Sequence, residues 1–107
     1  LPGFVYGGLI ASLIDCHAMG TAAAATLRAA GHEIGAVDSP RFVTASLRVD
    51  FVQPTPLGPE LVIRARVRQA SERKVVVDVT VSVGATITAR GEAVAVRMPT
   101  TMAGGSR

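Results

Sequence analysis

The chain is poor in the residues that most site chemistries need. It has one cysteine, Cys16, so a disulfide framework, a thiolate metal site and a CxxC redox motif are all excluded. Two histidines, His17 and His32, fall short of an ordinary zinc site without carboxylate help, and no metal is expected. Tryptophan is absent, and aromatic residues make up only 4% of the chain, one Tyr and three Phe. Nucleic acids are held by aromatic stacking platforms beside basic stripes, and neither is found here, so no nucleic-acid partner is expected. Charged residues are 18% against 49% hydrophobic, a balance that excludes a disordered chain. Low-complexity segments and internal repeats are also missing. The net charge is +3, and Lys74 is the only lysine in a basic set that is otherwise arginine. That modest positive charge helps an anionic ligand approach.

With 107 residues there is room for one domain, spanning residues 1–107. From Phe4 to Leu27 the sequence is almost wholly apolar, but Asp15 and His17 interrupt it at the centre, which is costly in lipid. No basic segment precedes the run, so a signal peptide is not expected either. No membrane partner is expected, and the single thiol fits a reducing, cytoplasmic compartment. The chain starts at Leu1-Pro2-Gly3 without Met, and a further segment is expected upstream.

Leu9 to about Ala30 is rich in Ala and Leu, which predicts one long helix. Gly7-Gly8 stands just before it and Gly31 is placed to end it. Apolar residues lie nearly all round this helix, so something must wrap it. Residues 31–42 read as a loop, and beyond them the period changes from 3.6 to 2. Val43, Ala45, Leu47, Val49 and Phe51 alternate with Thr44, Ser46, Arg48 and Asp50 in a first strand. After a break at Pro54, Pro56, Gly58 and Pro59, a second strand alternates Ile63, Ala65 and Val67 with Arg64, Arg66 and Arg68. Val75 to Val83 forms a third strand and Thr86 to Arg97 a fourth, with Ala89, Gly91, Ala93 and Ala95 on one face. Short links at residues 71–73 and around Gly84 predict antiparallel hairpins. The small-residue face would let a helix come close to the sheet. One apolar helix followed by four antiparallel strands is an α+β pattern, most economically a curved sheet wrapped around the helix.

At this point the residues resemble a known family. Tyr6-Gly7-Gly8, six intervening residues and then Asp15 have the spacing of the His-Gly-Gly…Asp/Glu pattern of hot-dog-fold thioesterases. The branch it looks like includes the 4-hydroxybenzoyl-CoA and phenylacetate-pathway enzymes. Residues 43–51, followed by Pro54, Leu57 and Gly58, resemble the family's next strand and turn, and the likeness runs from about Pro2 to Met98. It implies the hot-dog fold, a long central helix wrapped by a curved antiparallel β-sheet. It also implies hydrolysis of an acyl-CoA or acyl-carrier-protein thioester, with no cofactor beyond the coenzyme A of the substrate. Three roles carry over: the Gly7 N–H, with Gly8 beside it, as oxyanion donor; Asp15 as nucleophile or general base; Thr44 as a hydroxyl that helps position water. Tyr6 departs from the pattern, standing where an orienting His is usual.

The same chemistry follows from the residues. A helix N-terminus offers free N–H groups and a partial positive charge to an oxygen that becomes negative. Glycines there let a ligand approach the backbone. Asp15 is the only acid on the apolar helix, and a buried carboxylate is costly unless it is paired or hydrogen-bonded. Gly7 and Asp15 lie about 12 Å apart along a helix axis, too far to serve one carbonyl within one chain. A homodimer or homotetramer with sites shared between subunits is therefore expected, as the resemblance also implies.

Plainer readings stand beside these. Asp15 would also serve as a polar residue satisfied by a neighbouring loop, Gly7-Gly8 as a simple helix start, and Tyr6 as an interface aromatic. Thr44 alternates opposite Val43 and Ala45, so it is expected on the polar strand face and must turn toward a dimer or ligand side to act. Cys16 and His17 are adjacent on a helix, point about 100° apart and do not form a dyad. Arg64, Arg66 and Arg68 share a strand face that is either solvated or, with Arg73 and Lys74 in the next turn, a contact for coenzyme A phosphates. Two rival functions remain: an acyl-CoA-binding hot-dog protein without turnover, serving as regulator or scaffold, and a hot-dog dehydratase or hydratase. Tyr6 in place of His argues against the last.

Overall fold

The computed structural model describes residues 3–31 and 41–98. Most of the predicted loop, including His32, Glu33 and Asp38, lies outside the described residues. One helix, α1 (Gly7–Ala29), is followed by β1 (Phe42–Phe51), β2 (Leu61–Ala70), β3 (Lys74–Val83) and β4 (Thr86–Arg97). The strands form one antiparallel sheet in the order β1-β4-β3-β2, with β1 and β2 at its edges.

The helix begins two residues earlier than its composition predicts. Gly7 and Gly8 are its first two residues rather than its preamble, with Tyr6 as N-cap in an extended conformation. Helix propensity penalises glycine in the interior, but the first turn has no intrahelical N–H bonds to lose. The other end is as expected: Gly31 takes a φ of 81°, and its N–H bonds the Arg28 carbonyl at 3.0 Å.

One flank of α1 carries Ile10, Ile14, Ala18 and Ala22, all buried at the four-residue spacing of a helix face. They pack on Val75, Val77, Val79 and Val81 of β3 and on Ala89, Ala93 and Ala95 of β4. The expected close approach occurs at Gly91, where a β-carbon would fall 2.5 Å from Ile14 Cγ2. The opposite flank, with Leu9, Ser12, Cys16 and Gly20, is exposed. By length and composition α1 could cross a membrane, but here its inner flank is packed on the sheet.

Alternation fails at one place in β1. The pairing with β4 shifts between Thr44 and Ser46, so Ala45 is the extra residue of a β-bulge. Thr44 opposes Ala95, and beyond the bulge Leu47 opposes Ala93 and Val49 opposes Gly91. Directly paired residues point to the same face of an antiparallel sheet. Thr44 therefore lies on the helix face with Leu47 and Val49, not on the polar face that uninterrupted alternation gives it.

The outer face of the sheet is charged. Arg48 opposes Glu92, Asp50 opposes Arg90, and Arg66 opposes Asp78 across the strands. A second bulge, between Val67 and Gln69, frees Arg68 to bond Asp78 at 2.5 and 2.9 Å and Glu92 at 2.6 Å. The hydrogen bonds that Arg68 donates to the Asp78 and then the Glu92 carboxylate push its pKa up. This is an exposed network rather than a cation held ready for a ligand. A hollow of about 380 Å³ opens among these side chains, across the sheet from the helix.

Candidate active site

The segment before α1 is tied down by the chain that follows β1. Phe4 bridges Pro56, the Val5 N–H bonds the Thr55 carbonyl at 2.7 Å, and the Leu57 N–H bonds the Gly3 carbonyl at 2.8 Å. That second segment is in turn fixed to β4, because the N–H groups of Val52 and Gln53 both bond the Thr88 carbonyl, at 2.9 and 3.1 Å. Beneath it the Thr55 and Thr88 hydroxyls, both buried, meet at 2.8 Å. The N-terminus of α1 is thereby held against the end of β1.

At that N-terminus, the N–H groups of Leu9 and Ile10 bond the Tyr6 carbonyl. Those of Gly7 and Gly8 have no partner within the helix, and no backbone acceptor among the described residues takes them. The first turn contains no acidic side chain, so nothing within it offsets the positive end of the helix dipole. Each glycine lies under an aromatic ring. A β-carbon at Gly7 would stand 3.4 Å from the Phe51 ring, and one at Gly8 would stand 2.5 Å from the Tyr6 hydroxyl. A hollow of about 490 Å³ opens beside them, and Phe4, Tyr6 and Phe51, three of the four aromatics in the chain, line it.

Two turns further along α1, the half-buried Asp15 accepts a hydrogen bond from the Thr44 hydroxyl at 2.5 Å. The bond depends on the Ala45 bulge, which turns Thr44 toward the helix. A carboxylate with one oxygen so engaged keeps its second oxygen for a water, and the Thr44 oxygen keeps lone pairs of its own.

The predicted residues thus form two groups. Tyr6, Gly7 and Gly8 meet at the helix start with Phe51, which sequence reasoning did not single out; Asp15 and Thr44 meet along its side. Asp15 stands eight positions after Gly7, about 12 Å along the helix, and one chain does not bring the groups together. Arg73 and Lys74 join neither. The Arg73 carbonyl accepts the Arg97 N–H at 2.8 Å, and Lys74 opposes Val96 at the start of β3. That turn lies near Ala29 and Ala30, at the far end of α1 from Gly7.

The comparisons agree with this architecture. Residues 2–89 match the thioesterase superfamily, and the chain belongs to that superfamily. It is 36% identical over 74 residues, 69% of its length, to the acyl-coenzyme A thioesterase THEM4 of Xenopus laevis, and it spans 28% of that relative. A solved thioesterase superfamily protein from Shewanella loihica is 47% identical, with a TM-score of 0.73 over 92% of this chain and 72% of the other. A protein of Bacillus halodurans, solved with CoA, is 25% identical with a TM-score of 0.67, over 89% of this chain and 56% of the other. The fold is the hot-dog fold, as the resemblance implied.

Proposed function

We propose that the protein hydrolyses acyl-CoA thioesters at a site shared between two copies of the chain. The observation that carries the reading is the Thr44–Asp15 hydrogen bond on a helix whose N-terminal glycines have N–H groups without a backbone partner among the described residues. The thioester oxygen sits at the Gly7 N–H, with Gly8 beside it, where negative charge develops as the carbonyl carbon becomes tetrahedral. Asp15 removes a proton from a water, whose oxygen attacks that carbon, or attacks it directly as nucleophile. Thr44 orients the carboxylate and holds the water. On the general-base route the carbon–sulfur bond then breaks, and the thiol of coenzyme A, or of a carrier protein, leaves with the proton that Asp15 took from water. On the nucleophilic route the thiolate leaves from a mixed anhydride on Asp15, which a water hydrolyses to the free acid, regenerating Asp15 and supplying the thiol's proton. Nothing beyond the coenzyme A of the substrate is required as cofactor.

Two features support sharing. β1 is an edge strand with Val43, Leu47 and Phe51 exposed. It also carries one half-site at each end: Thr44, bonded to Asp15, near its start, and Phe51, lying on Gly7, at its close. Antiparallel pairing of two β1 strands about a two-fold axis near Leu47 sets the start of each beside the end of the other. The Asp15 of one copy then faces the Gly7 of its twin. A cytoplasmic setting suits this reading and the exposed thiol of Cys16.

The test is thiol release from a panel of acyl-CoAs by wild type, Asp15→Asn and Asp15→Ala. Hydrolysis by wild type and a loss of at least about a hundredfold in Asp15→Asn are expected, the scale of lost acid–base catalysis. Ligand-induced thermal stabilisation without thiol release would replace this reading with that of a non-catalytic acyl-CoA-binding protein.

A further inference from the structure

We propose that Phe51 and Tyr6 set which acyl groups the site accepts, favouring an uncharged, apolar acyl group over one that ends in a carboxylate. The inference rests on the thioester reading above, which puts the carbonyl at Gly7. The Phe51 ring lies 3.4 Å from where a Gly7 β-carbon would be, and the Tyr6 ring occupies that place at Gly8. A group attached to a carbonyl at these N–H groups must therefore leave between the two rings, into the hollow of about 490 Å³. Ile10, Val52 and Pro54 continue its apolar wall. No charged side chain lines the hollow among the described residues: its polar side chains are the neutral Gln53, the Tyr6 phenol and Thr55, whose hydroxyl is already taken up by Thr88. A terminal carboxylate entering it would shed water and meet no cation. A longer alkyl chain would run into the Phe51 ring. Within one chain both rings are exposed, at 56% and 77%, so trimming them leaves the core of that chain intact.

The experiment measures kcat/KM and Kd for butyryl-, octanoyl- and succinyl-CoA with wild type, Phe51→Ala, Phe51→Leu and Tyr6→Ala. Wild type is expected to prefer butyryl- over succinyl-CoA by about tenfold or more, the scale of discrimination by an apolar pocket. Phe51→Ala raises the octanoyl-to-butyryl ratio by about tenfold, Tyr6→Ala moves it the same way, and Phe51→Leu moves it less. Ratios unmoved in both alanine variants, or succinyl-CoA used as well as butyryl-CoA, would overturn the inference while leaving hydrolysis standing. Should no thioester be cleaved, the same ratios are read from Kd. A shift there keeps the two rings as selectors and removes only the hydrolytic reading. Unshifted ratios, or no binding of any of the three, overturn the inference.

Discussion

The Thr44 hydroxyl donates to Asp15 Oδ1 at 2.5 Å, and it does so because Ala45 is an extra residue in β1. Without the bulge Thr44 would turn to the charged outer face and Asp15 would lose this partner. Bulges re-aim side chains next to active sites in this manner. Here one inserted residue couples an edge strand to the central helix.

The first prediction concerns that bond. Thr44→Val keeps the side-chain shape and removes the hydroxyl, and kcat is expected to fall by about tenfold to a hundredfold, the worth of a charge-assisted hydrogen bond. Thr44→Ser restores most of the loss. Thr44 is exposed, so melting temperatures are expected to stay close to wild type in both variants. Steady-state kinetics alongside thermal denaturation separates the two effects.

A second prediction uses proline to delete one N–H. Gly7 is the first residue of α1, and proline is well tolerated at that position. Tyr6, with φ −63° and ψ 135°, already has the conformation that a residue before proline prefers. Gly7→Pro should keep the helical circular dichroism of wild type and lower kcat by about a hundredfold to a thousandfold, the range for loss of an oxyanion donor.

The proposed sharing of sites between two copies makes a third prediction possible. In such a homodimer Gly7→Pro and Asp15→Asn would each disable both sites, but a mixed dimer would pair an intact Gly7 with an intact Asp15 once. Refolding an equal mixture should recover about a quarter of wild-type activity, since half of the dimers are mixed and one of their two sites is whole. Activity no higher than either variant alone would place the whole site within one chain.

The fourth prediction concerns packing. Gly91→Ala puts a β-carbon 2.5 Å from Ile14 Cγ2 and 3.4 Å from the Arg48 carbonyl oxygen. The overpacking should cost about 1–3 kcal/mol, measured by urea denaturation. The double variant with Ile14→Ala is expected to be less destabilised than the sum of the two single changes, because removing Ile14 beyond its β-carbon relieves the collision.

Spacing singles out Gly7, Gly8, Asp15 and Thr44 as candidates, but not all of their geometry is legible in it. Ala and Leu content marked α1, Gly31 marked its end, and the small residues of β4 marked where the helix comes close. Alternation located every strand because each has one apolar face. It misplaced Thr44, since a bulge leaves no trace in a pattern of alternating residue types when Ala45 passes for one more inward position. In the sequence Phe51 is a strand residue like its neighbours. Its contact with Gly7 depends on Phe4 and Val5 pairing with Thr55 and Pro56, and sequence periodicity carries no information about such distant pairing. The Arg68 network is hidden from periodicity for a related reason. Three arginines on one face were visible, but the carboxylates that engage one of them come from β3 and β4.

The two margins of the sheet are unlike. β2 carries Arg64, Arg66 and Arg68, and positive charge on a free margin discourages a foreign strand from joining it. β1 has Val43, Leu47 and Phe51 uncovered and no such row of cations. Growth by strand addition is therefore favoured on one side alone. Two copies joined through β1 would present only arginine-bearing margins to further chains, so the union that completes the sheet would also halt its extension into a fibre.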